Sequence, residues 1–141
     1  MINSSNKLTI YFFITIVSLL TGFIIYLLFR ENTYISRFIE NFVDLSAVRK
    51  WCKPLESDFL KYYFPDYLWS LSLTSALHMI YNHKKLESWI CSLSTLILGC
   101  VYELLQYLDL ISGTGDFVDV LLYLLGGFTI NVIAMKRRKE K

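Results

Sequence analysis

Charged residues are absent from one long stretch near the start of the chain, residues 8–29, which reads LTIYFFITIVSLLTGFIIYLLF. At the rise of an α-helix, 22 residues extend about 33 Å, which is enough to cross the hydrocarbon core of a bilayer. A cleaved signal peptide is the alternative. The stretch is too long for one, and it ends in LLFR without a small-residue cleavage site. We predict a retained transmembrane helix.

Three further apolar stretches follow, at residues 62–82, 88–108 and 117–135. Their few ionisable residues lie near their ends: Asp66 and His78 in the first, Glu103 in the second and Asp119 in the third. This pattern predicts an all-α fold, namely a polytopic membrane protein with a four-transmembrane-helix bundle. Residues 1–141 are taken as a single membrane domain.

The segment between the first two spans, residues 30–61, has a different pattern. Its apolar residues fall at i, i+3, i+4, i+7 and i+8, which places on one helical stripe Ile35, Phe38, Ile39, Phe42 and Val43. The stripe predicts an amphipathic surface helix lying on the membrane. Packing of the stripe against the outer ends of the bundle is the alternative. Pro54 ends the pattern.

Composition supports the membrane assignment. The chain of 141 residues is 55% hydrophobic and 16% aromatic, a balance that leaves little polar surface for a soluble domain. The net charge is +2 and the basic residues form no stripe with stacking aromatic residues, so we expect no nucleic-acid partner. Three cysteines without a C-x-x-C or a Cys/His cluster make a structural zinc site unlikely in this sequence, and we expect neither metal nor cofactor.

Orientation is predicted from the positive charges. The tail KRRKEK and the short loop with Lys84 and Lys85 are dense in lysine and arginine, which favours the cytoplasmic side. Both termini are then cytoplasmic, and residues 30–61 lie outside. That segment opposes the prediction, because it carries six basic residues against five acidic ones.

In this topology, three helix ends that carry acids meet at the outer face. We predict that they form one polar pocket, whose candidate ligand-binding residues are Asp66, Glu103, Gln106, Asp116, Asp119 and Tyr123. A capping role is the alternative for three of the acids: Asp116 as the N-cap of the last helix, Asp119 as its capping-box partner, and Asp66, next to Pro65, in the first turn of its helix. Capping does not account for Glu103, which lies near a helix C-terminus, where the helix dipole disfavours an anion.

Two polar residues near the inner ends of the spans are given structural roles. His78 follows Asp66 by 12 residues, roughly 18 Å along a helix, so we expect it to pack between helices away from the acids. Asn131 is expected to form a hydrogen bond between helices.

The stretch YELLQ…GTGDFVDVLLYLLGG resembles the VanZ-like family of small membrane proteins. The family pattern has Glu-x-x-Gln at the end of one helix, matched by Glu103 and Gln106. After a short loop it has two acids three residues apart, matched by Asp116 and Asp119. The chain differs from the pattern in having Gly113 where many members have arginine, and Tyr123 where they have asparagine. The resemblance implies an envelope protein of the bacterial cytoplasmic membrane that is linked to glycopeptide tolerance.

Three functions are compatible with these residues. The first is a non-enzymatic envelope protein whose acidic pocket binds a lipid head group, a cell-wall precursor or a cationic compound. The second is a membrane enzyme on lipid-linked substrates, with Glu103 or Asp119 as general base, or with Glu103, Asp116 and Asp119 as ligands of a hard cation. No nucleophile–histidine pair accompanies the acids, which counts against it. The third, a proton-linked transporter, needs polar groups at mid-membrane that the spans lack.

Overall fold

The structure is a computed structural model that describes residues 4–31, 33–81, 85–111 and 113–139. Every regular element within these ranges is helical, which confirms the all-α prediction. The α-helices are α1 (Ser4–Phe29), α2 (Tyr34–Glu40), α3 (Ser46–Cys52), α4 (Phe64–Ile80), α5 (Lys85–Tyr107) and α6 (Phe117–Lys139). A 3₁₀ turn, Lys53–Leu55, follows α3, and a π-helical turn, Phe59–Tyr63, leads into α4.

Three helices of the described part of the chain are long and apolar enough to cross a membrane. The qualifying segments are Leu8–Phe29 in α1, Ser88–Tyr107 in α5 and Phe117–Lys136 in α6. Their bounds agree with three of the predicted spans to within one residue. These helices are compatible with a multi-pass membrane protein. Lys84 and Lys141, which contribute to the topology prediction, lie outside the described residues.

The fourth predicted span, residues 62–82, corresponds to α4. This helix is not among those that are long and apolar enough to cross a membrane. The helix has 17 residues, a length of about 25 Å, and it carries a row of polar side chains. These side chains are buried inside the bundle: Ser70, Ser72, Thr74, Ser75 and His78. A fourth span is therefore not confirmed.

Helix α4 forms the centre of the bundle, because it packs against α1, α5 and α6. Hydroxyl groups join it to its neighbours. The Ser70 hydroxyl donates to the backbone oxygen of Tyr123 on α6 at 2.7 Å. On the other side, the Ser72 hydroxyl donates to the backbone oxygen of Thr15 on α1 at 3.1 Å. Small residues and interhelical hydroxyl bonds of this kind are typical of helices that associate within membranes.

The distribution of side chains supports the same environment. Small polar residues are buried between the helices, whereas large apolar side chains such as Phe13, Leu104 and Leu124 are at least half exposed. Water would penalise such a surface, but hydrocarbon solvates it.

The predicted amphipathic helix is shorter in the structure than the stripe requires. Thr33 caps α2 by accepting a hydrogen bond from the Ser36 backbone N–H, and the helix ends at Glu40. Phe42 lies beyond that end, and its ring contacts Phe38 with a centroid distance of 5.4 Å. Both rings are exposed. The alternative prediction, that the stripe packs against the bundle, is therefore wrong for Phe38 and Phe42.

Residues after α2 fold back over the end of α1. The Arg49 guanidinium on α3 donates to the backbone oxygen of Leu27 through two nitrogens, at 3.1 and 2.9 Å. It also forms an ion pair with Glu40. The last carbonyl groups of a helix lack hydrogen-bond partners within the helix. Arg49 provides such a partner for the carbonyl group of Leu27. Segment 30–61 is thereby tied to the end of the bundle that holds the predicted pocket.

Candidate functional site

A cleft of about 920 Å³ opens at one end of the bundle, between the C-terminal ends of α1 and α5 and the N-terminal ends of α4 and α6. All six residues predicted for the polar pocket line it: Asp66, Glu103, Gln106, Asp116, Asp119 and Tyr123. The structure thus brings these side chains to one place, while their role in ligand binding stays a prediction.

Glu103 is the most buried acid of the cleft. Its side chain points into the bundle, and the residue is 6% exposed. One carboxylate oxygen, Oε1, accepts a hydrogen bond from the Tyr123 hydroxyl at 3.0 Å. The other, Oε2, accepts from the Asp116 backbone N–H at 3.0 Å. An acid at this depth requires such partners, because hydrocarbon offers none.

The Tyr123 hydroxyl lies between two carboxyl groups. It is 3.0 Å from Glu103 Oε1 and 3.1 Å from Asp66 Oδ1. A phenol has a single proton to donate, so it cannot satisfy two carboxylates at once. Both contacts are hydrogen bonds only when one of the carboxyls carries a proton that it donates to the phenol oxygen. With one of the two carboxyls protonated, the three groups would form a continuous hydrogen-bonded chain.

Two neighbours hold the Tyr123 ring in position. A Cβ atom at Gly99 on α5 would lie 2.1 Å from Tyr123 Cδ2, so only glycine leaves room for the ring against that helix. Trp69 on α4 meets the ring edge-on, with centroids 5.6 Å apart. The position of the hydroxyl is thus decided by three helices together.

At α6, the capping prediction is correct for one acid and wrong for the other. Asp116 Oδ1 accepts from the Val118 backbone N–H at 2.9 Å, as an N-cap does. A capping-box partner would accept from the Asp116 N–H, but Glu103 of the neighbouring helix occupies that donor. Asp119 is therefore not the cap partner. Its Oδ1 atom is buried and has no hydrogen-bond partner within the described part of the chain.

The loop between α5 and α6 packs closely onto α5. A Cβ atom at Gly115 would lie 2.7 Å from the Glu103 backbone oxygen. Gly113 has a φ of +144°, and a Cβ atom there would lie 2.3 Å from Gln106 Nε2. Any side chain at residue 113 is strained by this conformation and displaces Gln106. The cleft consequently has no side chain at that position.

The cleft also contains a cation that the sequence reasoning missed, Arg30. Its Nε donates to the Lys61 backbone oxygen at 3.0 Å, and Nη2 donates to the Tyr62 backbone oxygen at 3.3 Å. The guanidinium lies over the rings of Tyr26 and Tyr62, 5.2 and 5.6 Å from their centroids. In the sequence, a basic residue that ends an apolar span is read as a topology signal, and nothing local relates it to acids far along the chain.

The rim of the cleft carries a separate ion pair. Lys61 Nζ lies 2.7 Å from Glu56 Oε1. This hydrogen bond raises the pKa of the Lys61 ammonium and lowers the pKa of the Glu56 carboxyl. Lys61 is therefore paired outside the cleft. The Tyr63 hydroxyl also lies at the rim and donates to Asp116 Oδ2 at 3.4 Å.

The hard-cation arrangement considered from the sequence is not assembled. In the described ranges, no group of three acidic, histidine or cysteine side chains is placed to hold a metal ion. Glu103 is unsuited to such a trio with Asp116 and Asp119, because both of its oxygens already accept hydrogen bonds from protein groups.

A second polar cluster lies away from the acids. The Ser88 hydroxyl donates to Asn131 Oδ1 at 2.6 Å and lies 3.3 Å from His78 Nε2. The Tyr11 ring stacks on His78, with centroids 5.1 Å apart. His78 and Asn131 are buried and make contacts between helices, in agreement with the packing roles predicted for them.

Comparison of the chain with protein-family models, with curated proteins and with solved structures found no match. The site is therefore interpreted from its own geometry.

Proposed function

We propose that this chain is a divergent VanZ-like membrane protein that binds an envelope ligand in the acidic cleft. One observation carries the proposal. Asp119, whose buried Oδ1 atom has no hydrogen-bond partner among the described residues, lines a cleft that also contains Asp66 and the buried Glu103. A carboxylate near hydrocarbon is costly unless a partner compensates it, and a positively charged group of a ligand is the natural partner.

The cleft is well prepared for such a ligand. Glu103 is held by the Tyr123 hydroxyl and the Asp116 N–H, so its charge stays in a fixed place. Attraction between opposite charges is stronger near a low-dielectric wall than in water. A cationic group that enters the cleft therefore gains more from these acids than from exposed carboxylates elsewhere on the chain.

We propose that α4 is the fourth span, covered by α1, α5 and α6. Its buried hydroxyls and its central position fit an interior helix, for which a short apolar length is acceptable. The exposed rings of Phe38 and Phe42 then lie in the membrane interface. The basic tail favours cytoplasmic termini, which places the cleft at the outer face of a bacterial cytoplasmic membrane.

The candidate ligands are lipid head groups, cell-wall precursors and cationic compounds. The first two are components of the envelope that reach the outer face, and the third includes antibiotics. Binding of any of them provides a route to the glycopeptide tolerance that the family resemblance implies.

Glu103→Gln tests the proposal. The glutamine amide can accept from the Asp116 N–H and donate to the Tyr123 oxygen, so the variant keeps the hydrogen bonds and loses only the charge. We expect the variant to be produced in normal amounts and to melt at nearly the wild-type temperature. We also expect it not to restore the lipid and peptidoglycan-precursor profile of a strain that lacks the chain.

Asp109→Asn is the matched control, because Asp109 is an exposed acid after α5 with a φ of +56°, a conformation that asparagine tolerates. The control should restore the profile fully. Full restoration by Glu103→Gln would count against a functional charge in the cleft.

An acid–base enzyme acting on lipid-linked substrates is the second candidate. The position of the Tyr123 hydroxyl, within hydrogen-bond distance of both Asp66 and Glu103, favours it, since a row of such groups can give or accept a proton. Glu103 or Asp119 would then act as the acid–base residue. Chemical conversion of a lipid extract by the purified chain, absent with Glu103→Gln, would distinguish this activity from binding alone.

A further inference from the structure

Charges of both signs line the cleft, and within the described residues no ion pair joins Arg30 to its acids. Arg30 lies at the end of α1, and the carboxyl groups of Asp66 and Asp119 line the same cavity. The ion pairs within the described residues join Arg49 to Glu40 and Lys61 to Glu56, and none includes Arg30. A ligand with one charge matches only half of such a cleft, whereas a ligand with both charges matches all of it.

Arg30 is positioned to receive an anion. Its two hydrogen bonds to backbone oxygens use two of the five guanidinium N–H groups, and the rings of Tyr26 and Tyr62 fix its plane. The remaining donors form the planar fork that suits phosphate oxygens. Because the side chain is already ordered, binding an anion costs little additional conformational entropy.

Asp119 is positioned to receive a cation. Its buried Oδ1 atom lacks a partner in the described part of the chain, and Asp66 lines the cleft beside it. An ammonium group brings three N–H donors, so it can serve more than one carboxylate oxygen.

Polarity changes along the length of the cleft. Along α1 the lining changes from Arg30 at the helix end to the apolar Phe23 and Leu19, and the cavity is also lined by Trp69 of α4 and Tyr102 of α5, each within one turn of an acid. These four side chains are 40–51% exposed. Leu19 precedes Arg30 by 11 residues, which is roughly 16 Å along a helix. Along α1 the cleft therefore runs from charged to apolar in the same direction as a lipid of the outer leaflet.

The arrangement of the helices leaves a lateral entrance. Helix α1 packs mainly on α4, α5 packs mainly on α6, and α4 and α6 pack on each other, so α1 and α5 flank the cleft without packing closely together. A molecule with hydrocarbon chains can thus enter from the membrane with its chains remaining in lipid.

From these features, and resting on the proposed binding function, we infer that the ligand is a zwitterionic phospholipid. Arg30 binds its phosphodiester, Asp119 and Asp66 bind its ammonium group, and its acyl chains lie against Leu19 and Phe23.

Native mass spectrometry of the purified full-length chain in neutral detergent tests the inference. Four probes separate its parts: phosphatidylethanolamine has both charges and acyl chains, and phosphatidylglycerol with the same chains lacks the ammonium. Dodecylamine lacks the phosphate, and O-phosphoethanolamine lacks the chains. We expect phosphatidylethanolamine to bind about tenfold more tightly than any of the other three, the effect of one additional charge-assisted contact.

Two variants assign the contacts. Arg30→Gln should weaken phosphatidylethanolamine binding about tenfold and leave dodecylamine binding unchanged, because only the phosphate contact is lost. Asp119→Asn should weaken both. Arg37→Gln, which removes an exposed arginine outside the cleft, is the control and should change neither. Circular dichroism establishes that each variant is folded, and the comparison of the four probes on wild-type protein is independent of any variant.

Equal binding of phosphatidylglycerol and phosphatidylethanolamine would overturn the inference, and so would undiminished binding to Arg30→Gln. Equal binding of O-phosphoethanolamine would show that a soluble head group suffices, which also overturns it. If dodecylamine still binds and Asp119→Asn abolishes that binding, the acidic cleft retains its proposed function. If none of the four probes binds to the wild-type protein, both the phospholipid inference and the proposed binding function are overturned.

Discussion

Tyr123 connects the acids of the cleft. Its hydroxyl lies 3.0 Å from Glu103 Oε1 and 3.1 Å from Asp66 Oδ1, and its ring occupies the space that Gly99 leaves on α5. The residue is 2% exposed, so water does not replace the hydroxyl if it is removed. One oxygen of each carboxyl group, Glu103 Oε1 and Asp66 Oδ1, consequently depends on this hydroxyl for its hydrogen bond.

Tyr123→Phe should therefore destabilise the protein by about 1–3 kcal/mol, the typical cost of leaving a buried polar group without its partner. The measurement is the free energy of unfolding in detergent, followed by circular dichroism. Tyr107→Phe is the control, because that ring is 76% exposed and should be indifferent to the loss of its hydroxyl. Equal stability of the Tyr123 variant and the wild type would mean that the hydroxyl contributes no net hydrogen bond.

At the level of elements, the close approach of α4 and α6 holds the cleft together. A Cβ atom at Gly126 would lie 2.6 Å from Ser70 Oγ and 3.1 Å from the Tyr67 backbone oxygen. Since the second neighbour is backbone, it cannot rotate away. Any larger residue at this position pushes the two helices apart, and with them Asp66 and Tyr123.

Gly126→Ala should lower the free energy of unfolding by about 1–3 kcal/mol, as over-packing of a tight contact does. Gly22→Ala is the matched control, because its Cβ would meet Leu68 Cβ at an ordinary 3.6 Å. That variant should be unchanged or slightly more stable, since alanine favours helix more than glycine. The comparison is made by unfolding both variants in the same detergent. Equal effects of the two substitutions would contradict a close α4–α6 contact.

At the level of the whole molecule, one end of the bundle holds the acids, Arg30 and segment 30–61. The other end holds the cluster of His78, Ser88 and Asn131. The proposed topology assigns the first end to the outside of the cell. Its basis is the tail KRRKEK and the loop with Lys84 and Lys85, whereas the basic residues of segment 30–61 oppose it.

Reporter fusions decide the orientation. A reporter placed after Lys141 and another inserted at Lys85 should both give a cytoplasmic signal, because four spans with an inner tail place both positions on that side. A fusion at Asp109 is the control and should give an external signal. External signals from the first two fusions would reverse the topology and place the cleft inside the cell.

The sequence by itself determined the features that depend on local composition. An apolar run must match the thickness of the bilayer, so three predicted spans agree to within one residue with the apolar segments of α1, α5 and α6. The gathering of the six side chains at one end of the bundle was also predicted, because the alternating direction of the spans places these helix ends on one side; their ligand binding stays a prediction. The N-cap role of Asp116 depends only on its neighbours in the chain, and it too was predicted correctly.

Tertiary structure decided what depends on residues distant in the chain. The Asp116 N–H has a partner on α5, and for this reason Asp119 is left free for the cleft. Arg30 reaches the acids only because α1 packs on α4, and Tyr123 joins two carboxyls only because Gly99 admits its ring. Helix α2 ends at Glu40, before the apolar stripe does. Periodicity and hydropathy describe how one segment meets its solvent, but these contacts arise from the packing of several helices at once.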